Sequence, residues 1–175
     1  MKRNFIIIVL LMILTNTANS QNNSFERLNF VIGEWQGTGG GFGNETSEIQ
    51  SSFQFIMNGK YIHIKNKSEF KPTDSKPDGE IHIDWGFVSF DKKRGKIVFR
   101  QFNIEGYVNQ YVLNDSLSTD SRLVFETEVI ENFVEGGRAR WTIEKIDNGE
   151  IKTIFDVSFP GKEFSCYGTN SLKRK

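Results

Sequence analysis

Beyond residue 33 the apolar residues recur at every second position. Arg122-Leu123-Val124-Phe125-Glu126-Thr127-Glu128-Val129 alternates, as do Ser52-Phe53-Gln54-Phe55 and Arg140-Trp141-Thr142-Ile143-Glu144. Lys152-Thr153-Ile154-Phe155-Asp156-Val157-Ser158-Phe159 repeats the pattern. A period of two sends successive side chains to opposite faces, the mark of a half-buried strand. Short turn signals separate the runs. Asn58-Gly59 and Asn148-Gly149 read as two-residue hairpins, because both residue types tolerate the positive φ of such turns. Asp91–Gly95, Glu105-Gly106, Asn114–Asp120 and Pro160-Gly161 close others.

The pattern predicts about ten strands, over 34–42, 46–57, 60–70, 80–90, 96–103, 107–114, 121–130, 138–146, 150–159 and 163–173. One short helix is expected from Ser24 to Val31, with Ser24 as its cap and Phe25, Leu28 and Ile32 on one face. Hairpin after hairpin gives an up-and-down antiparallel sheet. An open sheet of this length leaves two edges exposed to aggregation, and closure removes both. The expected fold class is therefore all-β: an up-and-down antiparallel β-barrel with a short N-terminal capping helix.

The stretch Val31–Glu45 carries glycines at 33, 37, 39, 40, 41 and 43. A phosphate-binding loop would need Lys-Ser or Lys-Thr after its last glycine and then a helix. Asn44-Glu45 and another strand follow instead. In a barrel, glycines in the first strand permit sharp bending and close backbone approach. Trp35 would then plug one end beneath the helix.

Composition narrows the setting. Residues 1–20 run from basic (Lys2, Arg3) through the apolar Phe5–Leu14 to the small and polar Thr15–Ser20, the order of a secretory signal peptide. The apolar run is about half the length a helical span needs, so a cleaved leader is expected, with no stable membrane insertion afterwards. The single barrel domain is then 21–175. Twenty-two basic residues balance twenty-two acidic ones, leaving no field that would hold nucleic acid. The single cysteine, Cys166, forbids an intrachain disulfide, so packing alone must stabilise an exported chain. Sixteen phenylalanines and three tryptophans supply large area for that. A leader without disulfides favours a bacterial periplasm or secretion.

Gly33-x-Trp35-x-Gly37-x-Gly39, after a short helix and opening an antiparallel barrel, resembles the calycin superfamily, with its lipocalins and fatty-acid-binding proteins. His82-Ile83-Asp84-Trp85-Gly86-Phe87 resembles the His-x-acidic-x-Gly-aromatic segment of nitrobindin-like haem-binding barrels. Gly59-Lys60-Tyr61-Ile62 resembles the start of that family's third strand, without its proline, and Leu172-Lys173-Arg174 its closing segment. The resemblance implies a small, largely apolar ligand held inside the barrel: haem first, fatty acid or another lipid second. It also implies an alternative, a haem-dependent enzyme of nitrogen oxides that isomerises peroxynitrite. In the family a histidine five residues before the closing leucine holds the iron. Tyr167 stands there, so Tyr167 is the metal-ligand candidate. With Leu172 inward, strict alternation turns Tyr167 outward, so the family's spacing implies a local irregularity.

Other candidates follow from residue type. His82 reads either as a pocket-lining group or as a strand histidine paired with Asp84 on the same face. His63 shares a face with Tyr61 and Lys65, toward solvent, or toward the lining of a lipid-binding barrel. Arg100 would receive a carboxylate if it faced inward and would otherwise snorkel outward. Trp85, Tyr111, Trp141 and Phe155 read as core residues, some of which would line a cavity. Two histidines and one cysteine on separate strands show no zinc spacing, and no nucleophile constellation emerges. The remaining alternative is a non-catalytic envelope protein whose barrel is solid.

Overall fold

The computed structural model describes residues 24–41, 45–74 and 76–175; the leader expected at 1–20 lies outside these. Ten strands follow a short 3₁₀ helix, Glu26–Val31. They are β1 (Gly33–Gly41), β2 (Glu45–Ile56), β3 (Tyr61–Phe70), β4 (Glu80–Asp91) and β5 (Lys96–Phe102). Then come β6 (Val108–Leu113), β7 (Arg122–Glu131), β8 (Arg138–Lys145), β9 (Glu150–Ser158) and β10 (Ser165–Arg174). Each strand pairs antiparallel with its sequence neighbours, and β1 pairs with β10, closing the barrel.

The closing seam explains the glycine-rich strand. Register pairs run from Trp35–Arg174 to Gly41–Gly168. A Cβ on Gly37 would overlap the Ser171 carbonyl oxygen, and one on Gly41 would overlap that of Tyr167. The two backbones approach too closely for any side chain there. Close backbone packing at the seam accounts for these glycines.

Helix and turns differ from expectation in detail. The helix turns every three residues, so its buried face is Phe25, Leu28 and Val31, and Ile32 falls off it. Ser24 does not cap it: the cap position is Phe25, with no side-chain cap bond. At β2–β3 the turn widens to Met57–Lys60, with positive φ at Met57, Asn58 and Gly59. At β8–β9 the Gly149 N–H donates to Asp147 Oδ1 at 2.7 Å, and Gly149 has no positive φ. The strongest tie at the helix end is Trp35. It is buried, donates from Nε1 to the Val31 carbonyl at 2.7 Å, and carries the Arg174 guanidinium over its ring. Arg174 also donates to the carbonyls of Phe30 and Ile32, fastening the helix over this end of the barrel.

Each strand sends one buried apolar residue into that capped half. In chain order they are Trp35, Phe53, Ile62, Val88, Ile97, Leu113, Leu123, Ile143, Ile151 and Leu172. Above them Phe99 packs against Tyr111, Phe125 and Trp141, with ring centroids 5.0–5.8 Å apart. Gly86 makes room for Phe99, since a Cβ there would overlap its ring. Burying rings of this size is the main stabilising contribution available to a chain without disulfides.

Candidate functional site

The inward positions of the opposite half mix polar residues with apolar ones such as Ile49, Phe70, Phe155 and Val157. Register fixes which residues share the interior. Ser51 lies opposite Asn66, and Asn66 opposite Asp84. Gly86, Gln101 and Asn109 form another row, and Thr153 faces Asn170. These residues stand on the same faces as the apolar ring, toward the far ends of the strands. The result is a cup-shaped arrangement of amides and hydroxyls above the buried Phe99 and Trp141, in which Ser51, Asn109 and Thr153 are buried and Asn66, Asp84, Gln101 and Asn170 are half-buried.

The wall is hydrogen-bonded within itself. Ser51 Oγ donates to Asn66 Oδ1 at 2.7 Å. Asn109 Nδ2 donates to the Tyr111 hydroxyl at 2.9 Å, and that hydroxyl donates to Gln101 Oε1 at 3.1 Å. Asn170 Nδ2 donates to Thr153 Oγ1 at 3.0 Å. Burial pushes the Tyr111 phenol up, so it stays a neutral donor. Gly39 helps shape the wall, because a Cβ there would meet Asn170 Oδ1.

At the mouth the lining becomes charged. His82 is held between Glu80 (Nε2 to Oε1, 2.6 Å) and Glu105 (Nδ1 to Oε1, 2.5 Å). Burial alone would lower its pKa, but the two carboxylate hydrogen bonds outweigh burial and raise it. Glu80 is also bonded to Lys76, and its pKa is lowered by Lys76 and then His82. Asp84 lies deeper. Burial, and after it the charge of Glu105, push its carboxyl up to about 6. It accepts the backbone N–H of Ile104. The loop between β5 and β6 thus reaches over β4 at two points. A chain of aromatic contacts follows the rim on the other side: Tyr107–Phe133 at 5.6 Å, Phe133–Phe159 at 5.7 Å and Phe159–Tyr167 at 6.2 Å.

The residues singled out from sequence separate into three groups. Tyr111, Trp141 and His82 belong to the cup, as wall, floor and mouth, though His82 pairs with Glu80 and Glu105 and not with Asp84. Trp35 belongs to the capped end, across the apolar half from the cup. Trp85 and Arg100 face outward. Trp85 pairs in register with Phe102 and is half exposed, while Arg100 pairs with Phe87 and approaches Ser89 Oγ at 3.4 Å. One step of alternation decides this: Gly86, Val88 and Phe99 take the inside, so their neighbours take the outside. His63 is outward too, stacked on Phe87. Tyr167 sits in a bulge between Cys166 and Gly168, where the β9–β10 register shifts. The irregularity expected there is present, and it sets the Tyr167 ring at the rim against Phe159.

Sequence reasoning missed Asn66, Gln101, Asn109 and Asn170 as a group. A signal existed. Along β3 the inward residues read Ile62, Ile64, Asn66, Ser68 and then Phe70; along β6 they read Asn109, Tyr111, Leu113. On these two strands the polar stretch falls on opposite sides of the apolar one in sequence, because the strands run in opposite directions.

No family model matches this chain, and no curated protein matches it. Among solved structures the barrel is similar to Rv2717c from M. tuberculosis, with a TM-score of 0.64 and 15% identity over 87% of this chain and 97% of that one. It is also similar to mFAP0, a redesigned β-barrel bound to DFHBI (TM-score 0.46, 13% identity, 83% and 100% covered). A third is a de novo designed fluorescence-activating β-barrel (0.45, 11%, 86% and 98%). At 15% identity the likeness to Rv2717c is one of fold, a closed antiparallel β-barrel.

Proposed function

We propose that this protein binds a small molecule in the open half of its barrel. The axial division of the interior carries this reading. A barrel serving only as a scaffold gains stability by filling both halves with apolar side chains, about 25 cal/mol for each Å² of apolar area buried. Here one half is filled with apolar side chains, while the other sets amides, hydroxyls and a carboxylate that burial penalises among Ile49, Phe70, Phe155 and Val157. Pockets for small molecules combine apolar surface with a few convergent polar groups, and this half of the interior holds both kinds of side chain.

The lining suits a ligand that makes hydrogen bonds better than a wholly apolar one. It suits haem poorly. Both ring nitrogens of His82 are engaged by carboxylates, and Tyr167 lies at the rim beside Phe159. A fatty acid would want the arginine that stands outside at Arg100. With the leader expected at 1–20, the protein would be an exported binding protein, which amino-terminal sequencing of the natural product would check.

The experiment is a fragment screen read by amide chemical shifts. Hits should move the amides of Asn66, Asp84, Gln101, Asn109 and Asn170 and leave those of Leu123 and Ile143 in place. Hits that map outside the barrel, or no hits from a broad library, would remove the proposal.

A further inference from the structure

Strand β4 carries an apolar face on the outside of the barrel. The alternation that turns His82, Asp84, Gly86 and Val88 inward puts Ile81, Ile83, Trp85 and Phe87 outward, with no register shift against β3 or β5. These four make an apolar stripe about 20 Å long. Ile81, Trp85 and Phe87 are exposed, and so is Phe102, the register partner of Trp85 on β5. The rings form one layer. His63 lies edge-on to Trp85 and stacked on Phe87, and Phe87 meets Phe102 edge-on. Single exposed apolar residues are ordinary, but a contiguous layer of them marks a contact surface.

Cations flank the stripe on both sides. Lys65 on β3 is the register partner of Trp85, and Arg100 on β5 is that of Phe87. Among the described residues neither is paired with a carboxylate. Toward the helix end the same face opens into a groove of about 420 Å³, where Arg100 is joined by Lys60, Lys92, Tyr61 and Ser89 around Val98. The acidic residue lining this groove, Asp91, is held by Arg94. At the other end of the stripe Glu69 and Glu48 are bound by Lys67 and Lys71. Glu131 stands three strands away from Trp85 in its row. The face is thus aromatic at its centre and positive at its edges.

We infer that this face docks on an anionic phospholipid bilayer, with Trp85, Phe87 and Phe102 at the level of the headgroups and Lys60, Lys65, Lys92 and Arg100 against their phosphates. Amphipathic rings favour the membrane–water interface, and each cation held near an anionic surface adds attraction. The long stems of lysine and arginine let the charged ends reach phosphates while the rings lie deeper. A second copy of the chain suits the face less well. The outside of a barrel is convex, so two copies would meet along a narrow strip, where a standard interface buries roughly 800 Å² per partner. Both copies would also bring the same excess of positive charge. A fluid surface conforms to a convex one and supplies the opposite charge. The contact is peripheral, crosses no membrane, and is separate from the cup.

Vesicles of phosphatidylcholine alone, and of equal parts phosphatidylcholine and phosphatidylglycerol, test this at low salt by co-sedimentation and tryptophan emission. Trp85 supplies the optical signal of this face, because Trp35 and Trp141 are buried. The full chain should bind the anionic vesicles about ten-fold or more better than the neutral ones, and its emission should move to shorter wavelength. Arg100→Gln should weaken binding about five-fold, and Lys65→Gln together with Arg100→Gln about 25-fold. Phe102→Ser, at a half-exposed position that the fold does not need, should weaken binding to both kinds of vesicle. Lys152→Gln, outward on β9 across the barrel, should leave binding unchanged. The inference fails if neutral and anionic vesicles bind alike, if Arg100→Gln and Phe102→Ser bind as the unaltered chain does, or if Lys152→Gln weakens binding as much as Arg100→Gln. It fails also if inorganic phosphate at matched ionic strength releases the protein, which would make the groove a phosphate site. A lipid-free dimer that Phe102→Ser dissociates would overturn it too, by making the face a contact between copies.

Discussion

Asp84 is a residue at which burial costs stability. A carboxyl whose folded pKa is raised holds its proton more tightly folded than unfolded. Its penalty is absent below about pH 3.8, grows as pH rises toward about 6, and is complete above that. A rise of this size corresponds to at most about 3 kcal/mol at neutral pH, less where water reaches the group. Asp84→Asn should therefore stabilise the protein by about 1–3 kcal/mol at pH 7.5, with most of the gain gone near pH 4.5. Urea unfolding at the two pH values measures this, and a gain independent of pH would contradict it. His82 has the opposite sense. Its raised pKa makes its stabilisation fully present below about pH 6.5 and lost as pH climbs through the folded value. His82→Gln should destabilise the protein in mild acid and matter little in alkali, by thermal unfolding across that range.

Strands are legible from alternation, and their expected bounds lie within one or two residues of those observed. What alternation leaves open is which of two faces is inside. In β5 the sequence Val98-Phe99-Arg100-Gln101 fits either choice, and an inward, anchoring Arg100 is one of the two. The partner strand decides: Phe99 faces Val88, which is fully buried, so Arg100 is outside. The seam between β1 and β10 is less legible, because glycine carries no side chain to announce its face. Gly37→Val should cost about 1–3 kcal/mol or more, the range for overpacking, because the obstruction is backbone. Thr38→Val, one residue on and outward, should change little. Equal effects in chemical denaturation would place the tight approach elsewhere.

At the scale of the molecule, closure makes the cup possible, since only a complete ring of strands brings β3 and β10 walls to one space. Thr38 and Ser171 are register partners across the closing seam, in reach of a disulfide. In a Cys166→Ser background, Thr38→Cys with Ser171→Cys should form a single intramolecular disulfide, seen by mass spectrometry after mild oxidation. Intermolecular products alone would mean that β1 and β10 are not neighbours.

Local chemistry determined a great deal by itself: ten strands, their turns, the helix over one end, and closure as the remedy for two bare edges. Those follow from period, turn residues and the cost of unpaired backbone, all of which act over a few residues. The cup follows from something longer in range. Asn66, Asp84, Gln101, Asn109 and Asn170 lie on five strands, and each taken singly is an ordinary polar residue in an alternating run. Only the register between strands puts them at one height on one side of the sheet. The same register sends Trp85 and Arg100 outward, because a shift of one residue exchanges every face of a strand.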